Sequence, residues 1–180
     1  PIMVAASRPR AADLAGRLGD AMINTEVDDE LIARFEAKGG GDRPRYVETT
    51  VCWAKDERRA RKTAHEVWPL SALGGPLFTE LAQPSHFEAA FEPLTEEMVA
   101  KTIICGPDPA RHVDAIRKAE RTGYTHFCVH QVGPEQERFI EFYEREVFPA
   151  LGGGGASRRK PTVKAAQPAR RSPGRARGGQ

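Results

Sequence analysis

The sequence predicts an α/β protein, because its first 24 residues read as a strand, a helix and a second strand. Residues 2–6 are an uncharged apolar run, which is typical of a parallel strand buried on both faces. Residues 7–9 supply a turn, and residues 19–20 end the helix that follows it. Residues 21–23 form the second short buried strand. Spacings of three and four residues predict one buried stripe on this helix: Ala11, Leu14, Ala15 and Leu18.

The turn after the first strand predicts a phosphate site. It lies at the carboxyl end of a strand and leads into a helix, which is where α/β proteins bind ligands. Free N–H groups and the helix dipole suit a phosphate there, and Arg8 and Arg10 add positive charge. The alternative interpretation is that both arginines are simply solvated loop residues.

Composition divides the chain into an acidic part and a basic tail. Of the 27 Lys and Arg residues, eight lie in residues 152–180, which contain no acid. Residues 1–151 therefore carry 19 basic against 25 acidic residues, a net charge of −6. The tail is rich in Gly, Pro, Ala and Arg, so we expect it to be disordered. Three cysteines without framework spacing, no long apolar run and no signal peptide favour a cytoplasmic protein that does not contact a membrane.

The second helix and third strand follow the same rhythm. Asp28 or Asp29 can cap a helix that begins near Glu30 and ends at the glycines 39–41. Its buried face is Leu31, Ile32 and Phe35. Residues 45–54 are rich in β-branched and aromatic side chains and predict a strand. Its inward face is either Val47, Thr49, Val51 and Trp53 or Tyr46, Glu48, Thr50 and Cys52.

Within that strand Glu48 is a candidate catalytic carboxylate, although a glutamate in mid-strand is more often structural. Residues 56–68 form a charged helix whose RRARK run is best interpreted as a solvated outer face, since acids are interleaved with it. Residues 69–93 break the regular rhythm and contain a short helix at 85–91.

Two further helices precede the last strand. Thr95 caps a helix over residues 95–104 with Met98 and Val99 facing inward, and residues 105–107 end it. Asp108 and Pro109 are the N-cap and first residue of the next helix. Its core side contains Val113 and Ile116.

The strand predicted at residues 125–131 carries three residues of the types that bind zinc, and they share one face: His126, Cys128 and His130. Neighbours two apart on a strand lie about 6.5 to 7 Å from each other, too far to converge easily without a fourth ligand. We therefore expect no metal site, and we interpret this face as sheet interior with His130 nearest the rim. Residues 133–135 begin a last helix, ending near Pro149. It packs through Phe139, Phe142, Tyr143 and Val147.

Three blocks, in the same order and spacing, carry a family resemblance. They read AAS-x-P-x-AA-x-LAGR-x-GD-x-x-I, VCWAKDERRARKTAHEVWP and CGPDPARHVDAIRKAERTGYTHFCVHQVGPEQERFIEFYEREVFP. Together they cover residues 1–151. The chain resembles the luciferase-like superfamily of (β/α)8 barrels, in the branch that uses the deazaflavin coenzyme F420, and specifically its F420-dependent glucose-6-phosphate dehydrogenases.

The resemblance implies a fold and an activity. Residues 1–151 correspond to the last four βα units, the C-terminal half of a (β/α)8 TIM barrel, and the N-terminal half barrel is absent from this sequence. A complete barrel takes roughly 250 residues, more than the 180 present. The implied activity is hydride transfer between coenzyme F420, or alternatively FMN, and a small organic substrate. We expect this chain alone to be inactive and the complete protein to be a homo-oligomer.

The resemblance also implies site residues. Positions that hold the phosphate-bearing tail of the cofactor map to Ser7, Arg8, Arg10 and Ala11, although the family usually has glycine where this chain has Arg8. Thr25 matches a position that contacts the sugar substrate. Glucose-6-phosphate enzymes carry a lysine and an arginine where this chain has Asp28 and Thr102. A carboxylate there repels a phosphate dianion, so glucose 6-phosphate is not the expected substrate.

A second hypothesis belongs to another functional class. The chain would then be a non-catalytic α/β fragment whose working part is the basic tail, which could bind nucleic acid or an acidic partner in a salt-dependent way.

Overall fold

The computed structural model describes residues 1–74 and 77–152. It contains one parallel sheet of five strands: β1 Met3–Ala5, β2 Ala21–Asn24, β3 Arg45–Cys52, β4 Ile104–Cys105 and β5 His126–Gln131. Helices follow the strands: α1 Pro9–Leu18, α2 Asp29–Ala37, α3 Glu57–Val67, α4 Leu77–Glu80, α5 Pro84–Phe91, α6 Glu96–Thr102, α7 Pro109–Thr122, α8 Gln136–Phe142 and α9 Phe148–Ala150. A 3₁₀ turn at Pro69–Ala72 precedes α4, and a π-helical turn at Tyr143–Val147 joins α8 to α9. The predicted α/β class is confirmed.

β3 is the central strand of the sheet. Tyr46 pairs with Ile23 of β2 and with His126 of β5, so these two strands lie on opposite edges of β3. β4 pairs with β3 at its carboxyl end, through Val51 and Cys52. β1 adds to the far side of β2. All pairs are parallel, so the carboxyl ends of the strands meet at one edge of the sheet.

Burial decides which face of β3 points where. Val47 packs in a cluster with Leu31 and Phe35 of α2, and Val51 packs with Val113 of α7 and Phe142 of α8. The helices therefore cover the Val47 face. Because successive strand residues alternate, Tyr46, Glu48 and Thr50 lie on the opposite face of the sheet, which we call the concave face. Cys52, which the alternation predicts on the same face, is instead buried in a cluster with Ala60 and Ala64 of α3.

Helix α1 packs through small residues, not through the predicted leucines. Ala12, Ala15 and Gly16 are buried, whereas Leu14 and Leu18 are 42% and 73% exposed. The small residues let α1 approach α2 closely, since a Cβ on Gly16 would lie 2.5 Å from the carbonyl oxygen of Phe35. The predicted stripe is therefore confirmed for Ala11 and Ala15, which pack in the core, and wrong for the two leucines, because backbone contact with α2 selects the inner face.

Three further expectations need correction. β1 was expected to be buried on both faces, but Ile2 and Met3 are exposed because, among the described strands, β1 pairs with β2 alone. Met98 is 41% exposed, so Val99 alone of that predicted pair faces the core. Residues 104–105, expected as the end of a helix, form β4 instead, and their backbone pairs with β3.

The other predicted elements are confirmed to within a few residues. Asp28, Asp56, Thr95 and Asp108 each cap a helix, accepting a hydrogen bond from a backbone N–H in its first turn. The expected face of the last helix is buried: Phe139, Phe142, Tyr143 and Val147.

The predicted disordered tail, residues 152–180, lies outside the described residues except for Gly152. None of the helices in the described part of the chain has both the length and the apolar character needed to cross a lipid bilayer.

Candidate functional site

The carboxyl edge of the sheet holds all five site residues that the sequence predicts. The Ala6 N–H donates to the Ile23 carbonyl at 2.9 Å, which continues the β1–β2 ladder beyond the end of β1. The loop that contains Ser7 and Arg8 therefore leaves the sheet beside Thr25, which follows β2 directly. Arg10 and Ala11 come next, in the first turn of α1.

The start of α1 has the features of an anion site. Arg8 is the N-cap, in an extended conformation with no side-chain capping bond, and the first turn contains no acidic residue. Within residues 1–74 and 77–152, the backbone N–H groups of Ser7, Arg8 and Arg10 donate to no other residue. Both arginine side chains are exposed. Unpaired N–H groups, the positive end of the helix dipole and two guanidinium groups thus lie together.

Asn24 lies beneath this loop and was not predicted as a site residue. Its side chain is 3% exposed, and its Nδ2 donates to the Ala6 carbonyl, so it ties the end of β2 to the end of β1. The Asn24 Oδ1 has no hydrogen-bond partner in the described part of the chain. The signal in the sequence is a polar residue directly after the apolar residues 21–23, since a polar side chain at the end of a buried strand needs a hydrogen-bond partner.

Asp28 and Thr102, where the resemblance implies a lysine and an arginine, each form a local hydrogen bond. The Asp28 Oδ1 accepts from the Leu31 N–H at 3.0 Å and caps α2, while the Asp28 N–H donates to the Tyr124 hydroxyl at 3.2 Å. The Thr102 Oγ1 lies 2.8 Å from the Val99 carbonyl at the end of α6. Burial raises the pKa of Tyr124, so this hydroxyl stays neutral beside the carboxylate.

The concave face of the sheet carries two rows of polar and aromatic residues. Strand register places Tyr46 beside His126, Glu48 beside Cys128, and Thr50 beside His130. The rings of Tyr46 and His126 stack with centroids 4.2 Å apart. In the described residues, no three His, Cys, Asp or Glu side chains converge as a metal site would require.

Glu48 and His130 form a pair on this face. The Glu48 Oε1 lies 3.6 Å from the His130 Nδ1, and each side chain is 40% exposed. The ring of Trp68, at the start of the irregular segment, meets His130 edge-on with centroids 4.9 Å apart. This segment therefore touches the concave face beside the carboxylate–imidazole pair.

A side-chain clamp fixes the carboxyl ends of β3 and β5. The Gln131 Oε1 accepts from the Trp53 N–H at 2.7 Å, and the Gln131 Nε2 donates to the Trp53 carbonyl at 3.0 Å. The amide thus pairs with the backbone as a neighbouring strand would. It holds the two loops that leave these strands in a fixed position at the edge of the site.

Comparisons with known proteins match this chain to one family. The model of the luciferase-like monooxygenase family matches residues 1–126. An F420-dependent glucose-6-phosphate dehydrogenase of Beutenbergia cavernae is 31% identical over 163 residues, covering 84% of this chain and 48% of the relative. The enzyme of the same name from Intrasporangium calvum is 30% identical over 165 residues, covering 85% and 49%. The chain thus spans about half the length of the curated relatives it matches.

Solved structures share the fold over a similar extent. An F420-dependent secondary alcohol dehydrogenase, in complex with an F420–acetone adduct, matches with a TM-score of 0.69 at 20% identity, covering 84% of this chain and 48% of that one. The coenzyme F420-dependent tetrahydromethanopterin reductase of Methanopyrus kandleri matches with a TM-score of 0.63 at 21% identity, covering 84% and 51%. The sheet and its helices therefore have the fold of about half of a barrel of this type.

Proposed function

This chain belongs to the luciferase-like monooxygenase family, and from that premise we propose that it is the cofactor-tail-binding half of an oxidoreductase. The reaction is hydride transfer between a deazaflavin and a small organic substrate. Coenzyme F420, when bound, supplies the group that takes or gives the hydride. The relatives named above are F420-dependent, which favours this cofactor over FMN.

The observation that carries the proposal is the N-terminus of α1, where backbone N–H groups without partners lie beside the guanidinium groups of Arg8 and Arg10. The phosphate-bearing tail of the cofactor would accept hydrogen bonds from the N–H groups of Arg8 and Arg10 and ion-pair with their guanidinium groups. Ser7 would add a hydroxyl, and Ala11 leaves room beside it. Asn24 would hold the loop in place from below through its bond to the Ala6 carbonyl.

We further propose that the missing first four βα units complete the site and that residues 1–151 are the second half of the barrel domain. The concave face would then line the interior, with Glu48, His130 and Trp68 beside the substrate. Thr25 would contact the substrate from the rim. The substrate is not glucose 6-phosphate, because the Asp28 carboxylate, which is held in place by capping α2, would repel the phosphate dianion.

Calorimetric titration of coenzyme F420 tests the cofactor site. The titrated protein is the 180-residue chain joined to the first four βα units of the Beutenbergia cavernae relative, with FMN titrated in parallel. We expect F420 to bind and Arg10→Ala to lose roughly 1 to 3 kcal/mol of binding free energy, the usual contribution of a charged hydrogen bond. Arg58→Ala, an exposed arginine on α3, is the matched control and should bind as the parent does.

A second variant tests whether the Arg8 side chain binds the phosphate or blocks it, since the family usually has glycine at this position. Arg8→Gly should bind F420 more weakly than the parent if the guanidinium grips the phosphate. Much tighter binding by this variant would mean that the side chain obstructs close approach to the backbone, and the cofactor assignment for this chain would then fail.

A further inference from the structure

Two buried cysteines lie side by side on adjacent strands. Cys52 is the last residue of β3 and Cys105 is the last residue of β4, and the parallel register pairs these two residues directly. Both are free thiols, and they are 0% and 1% exposed. The fold therefore joins two cysteines that residues 53–104 separate in the sequence.

The two thiols lie on the same side of their strands. Val51 and Ile104, the preceding pair in the register, pack in one apolar cluster. Cys52 and Cys105 pack together in another cluster, which buried residues of α3 and α6 complete. Since each register pair shares its own cluster, both cysteine side chains face the same apolar space.

The separation of the two strands suits a disulfide bond. Neighbouring strands lie about 4.7 to 4.9 Å apart, and the two Cα atoms of a disulfide usually lie about 4.4 to 6.8 Å apart. A bond between Cys52 and Cys105 is therefore compatible with the backbone as the sheet holds it.

Burial protects the reduced pair. Burial, and to a smaller extent the neighbouring Cys105, raises the pKa of the Cys52 thiol to about 12, and burial also raises the pKa of Cys105. The thiolate is the reactive form of cysteine, so both thiols react slowly while the cluster is closed. Among the described strands β4 pairs with β3 alone, over two residues, so its end can open without unfolding the sheet.

We propose that Cys52 and Cys105 form a reversible dithiol–disulfide pair that closes residues 53–104 into a loop, with hydrogen peroxide as the oxidant. One thiolate attacks a peroxide oxygen, and the O–O bond breaks to give a sulfenic acid and hydroxide. The second thiolate attacks the sulfenic sulfur and expels a second hydroxide. The two thiol protons convert both hydroxides to water. Two small-molecule thiols reduce the bond again and become a disulfide themselves.

The bond fixes the base of the segment that reaches the concave face. Residues 53–104 include α3, the 3₁₀ turn and α6, and Trp68 in this loop meets the ring of His130 with centroids 4.9 Å apart. Joining the two ends of the loop restricts its opening, so the redox state of the pair sets how firmly Trp68 is held there. The inference does not depend on the proposed function.

Peptide mapping by mass spectrometry tests the pair in the 180-residue chain. The reduced protein is treated with hydrogen peroxide, remaining thiols are blocked with iodoacetamide, and tryptic peptides are compared with and without dithiothreitol. We expect one reducible link, between the peptides that contain Cys52 and Cys105. A link through Cys128 in place of this one, or no link between the two peptides at any peroxide concentration, would overturn the proposal.

Thermal melting measures the closed loop. The oxidised chain should melt roughly 5 to 15 °C above the reduced chain, since a disulfide across a long loop restricts the unfolded state. Cys52→Ser and Cys105→Ser, each compared with itself before and after peroxide, should show no rise, and Cys128→Ser is the matched control that should keep it. No rise in the parent, or an equal rise in Cys52→Ser, would contradict the bond. The peptide map needs no variant, so it decides the question even where a serine in this cluster unfolds the chain.

Amide hydrogen exchange shows whether the bond holds the segment. Oxidation should slow exchange in α3 and α6, which lie inside the closed loop, and should leave α1, which lies outside it, unchanged. Equal slowing in α1 would mean that the bond stabilises the whole chain without holding this segment in particular, which would contradict the proposed control of Trp68.

Discussion

The Tyr143 hydroxyl lies 2.9 Å from the Nδ1 of a fully buried histidine, His112. The Nε2 of that ring lies 3.1 Å from the Gly106 carbonyl, which can only accept a hydrogen bond, so Nε2 carries the proton. Nδ1 then accepts from Tyr143. Burial lowers the pKa of His112 and so favours this neutral form, in which the ring joins the loop after β4 to the last helical segment.

We expect stability to fall with acid because of His112. Burial lowers the pKa of His112 below its ordinary value of 6.5, so the unfolded chain binds a proton at higher pH than the folded chain does. Stability from this group is thus complete above about pH 6.5 and is lost as the pH falls toward the folded pKa.

Thermal melting between about pH 7.5 and about pH 5.5 measures this loss. In this range His112→Gln should melt lower than the parent at the upper pH but change less on acidification. An equally steep pH dependence in that variant would assign the effect to other groups.

Gly16→Ala should destabilise the chain by about 1 to 3 kcal/mol, the usual cost of overpacking. The new Cβ would meet the Phe35 carbonyl at 2.5 Å and the Lys38 Cβ at 2.8 Å, so α1 and α2 must move apart. Urea unfolding measures the change. Gly74→Ala is the control, because nothing lies within 4 Å of its added Cβ, and equal effects in the two variants would refute close packing as the cause.

Asp28→Ala should lower the free energy of unfolding by about 1 kcal/mol, the typical value of an N-cap. The lost contact is the 3.0 Å bond from the Leu31 N–H to the Asp28 carboxylate. Asp28→Asn keeps an oxygen acceptor and should stay close to the parent in the same urea experiment. If both variants lose equally, the negative charge matters and the hydrogen bond does not.

The 180-residue chain should oxidise no reduced coenzyme F420 against a panel of alcohols, aldehydes and sugars. Hydride transfer requires ring and substrate to be held within a near-attack geometry, and among the described strands β1 and β5 each have one unpaired edge, so one side of the concave face is open in this chain. The Beutenbergia cavernae relative serves as the positive control in the same absorbance assay. Turnover clearly above buffer would show that these four βα units suffice for catalysis.

Local signals in the sequence were enough to place most helices and strands. Asp28, Asp56, Thr95 and Asp108 mark helix starts because a cap satisfies N–H groups of its own first turn, which is a short-range interaction. The inner face of α1 could not be read in the same way. Leu14 and Leu18 fit an apolar period, but whether they are buried depends on what packs beside α1.

The candidate site was predictable in position but not in its supporting contacts. Ser7, Arg8 and Thr25 follow the ends of predicted strands, and in α/β proteins ligands bind at the carboxyl ends of the strands. The Asn24 bond to Ala6 and the Gln131 clamp on Trp53 join residues 18 and 78 positions apart, and no local pattern marks such pairs. For the same reason the sequence left two alternatives for which face of β3 contacts the helices, and the packing of Val47 and Val51 distinguishes them.

The central place of β3 has a consequence for how the chain is made on the ribosome. Arg45 at its start bonds to Thr125, 80 residues further along the chain, whereas β2 is encoded just before it. During synthesis β3 therefore emerges when its β2 partner is already available. The edge that pairs with β5 stays uncovered until about 80 further residues have been made. Contacts of such long sequence separation slow folding, and an exposed strand edge invites association in the meantime. A nascent chain at this stage is protected from association only by a molecule that covers the free edge of β3 until β5 has been synthesised.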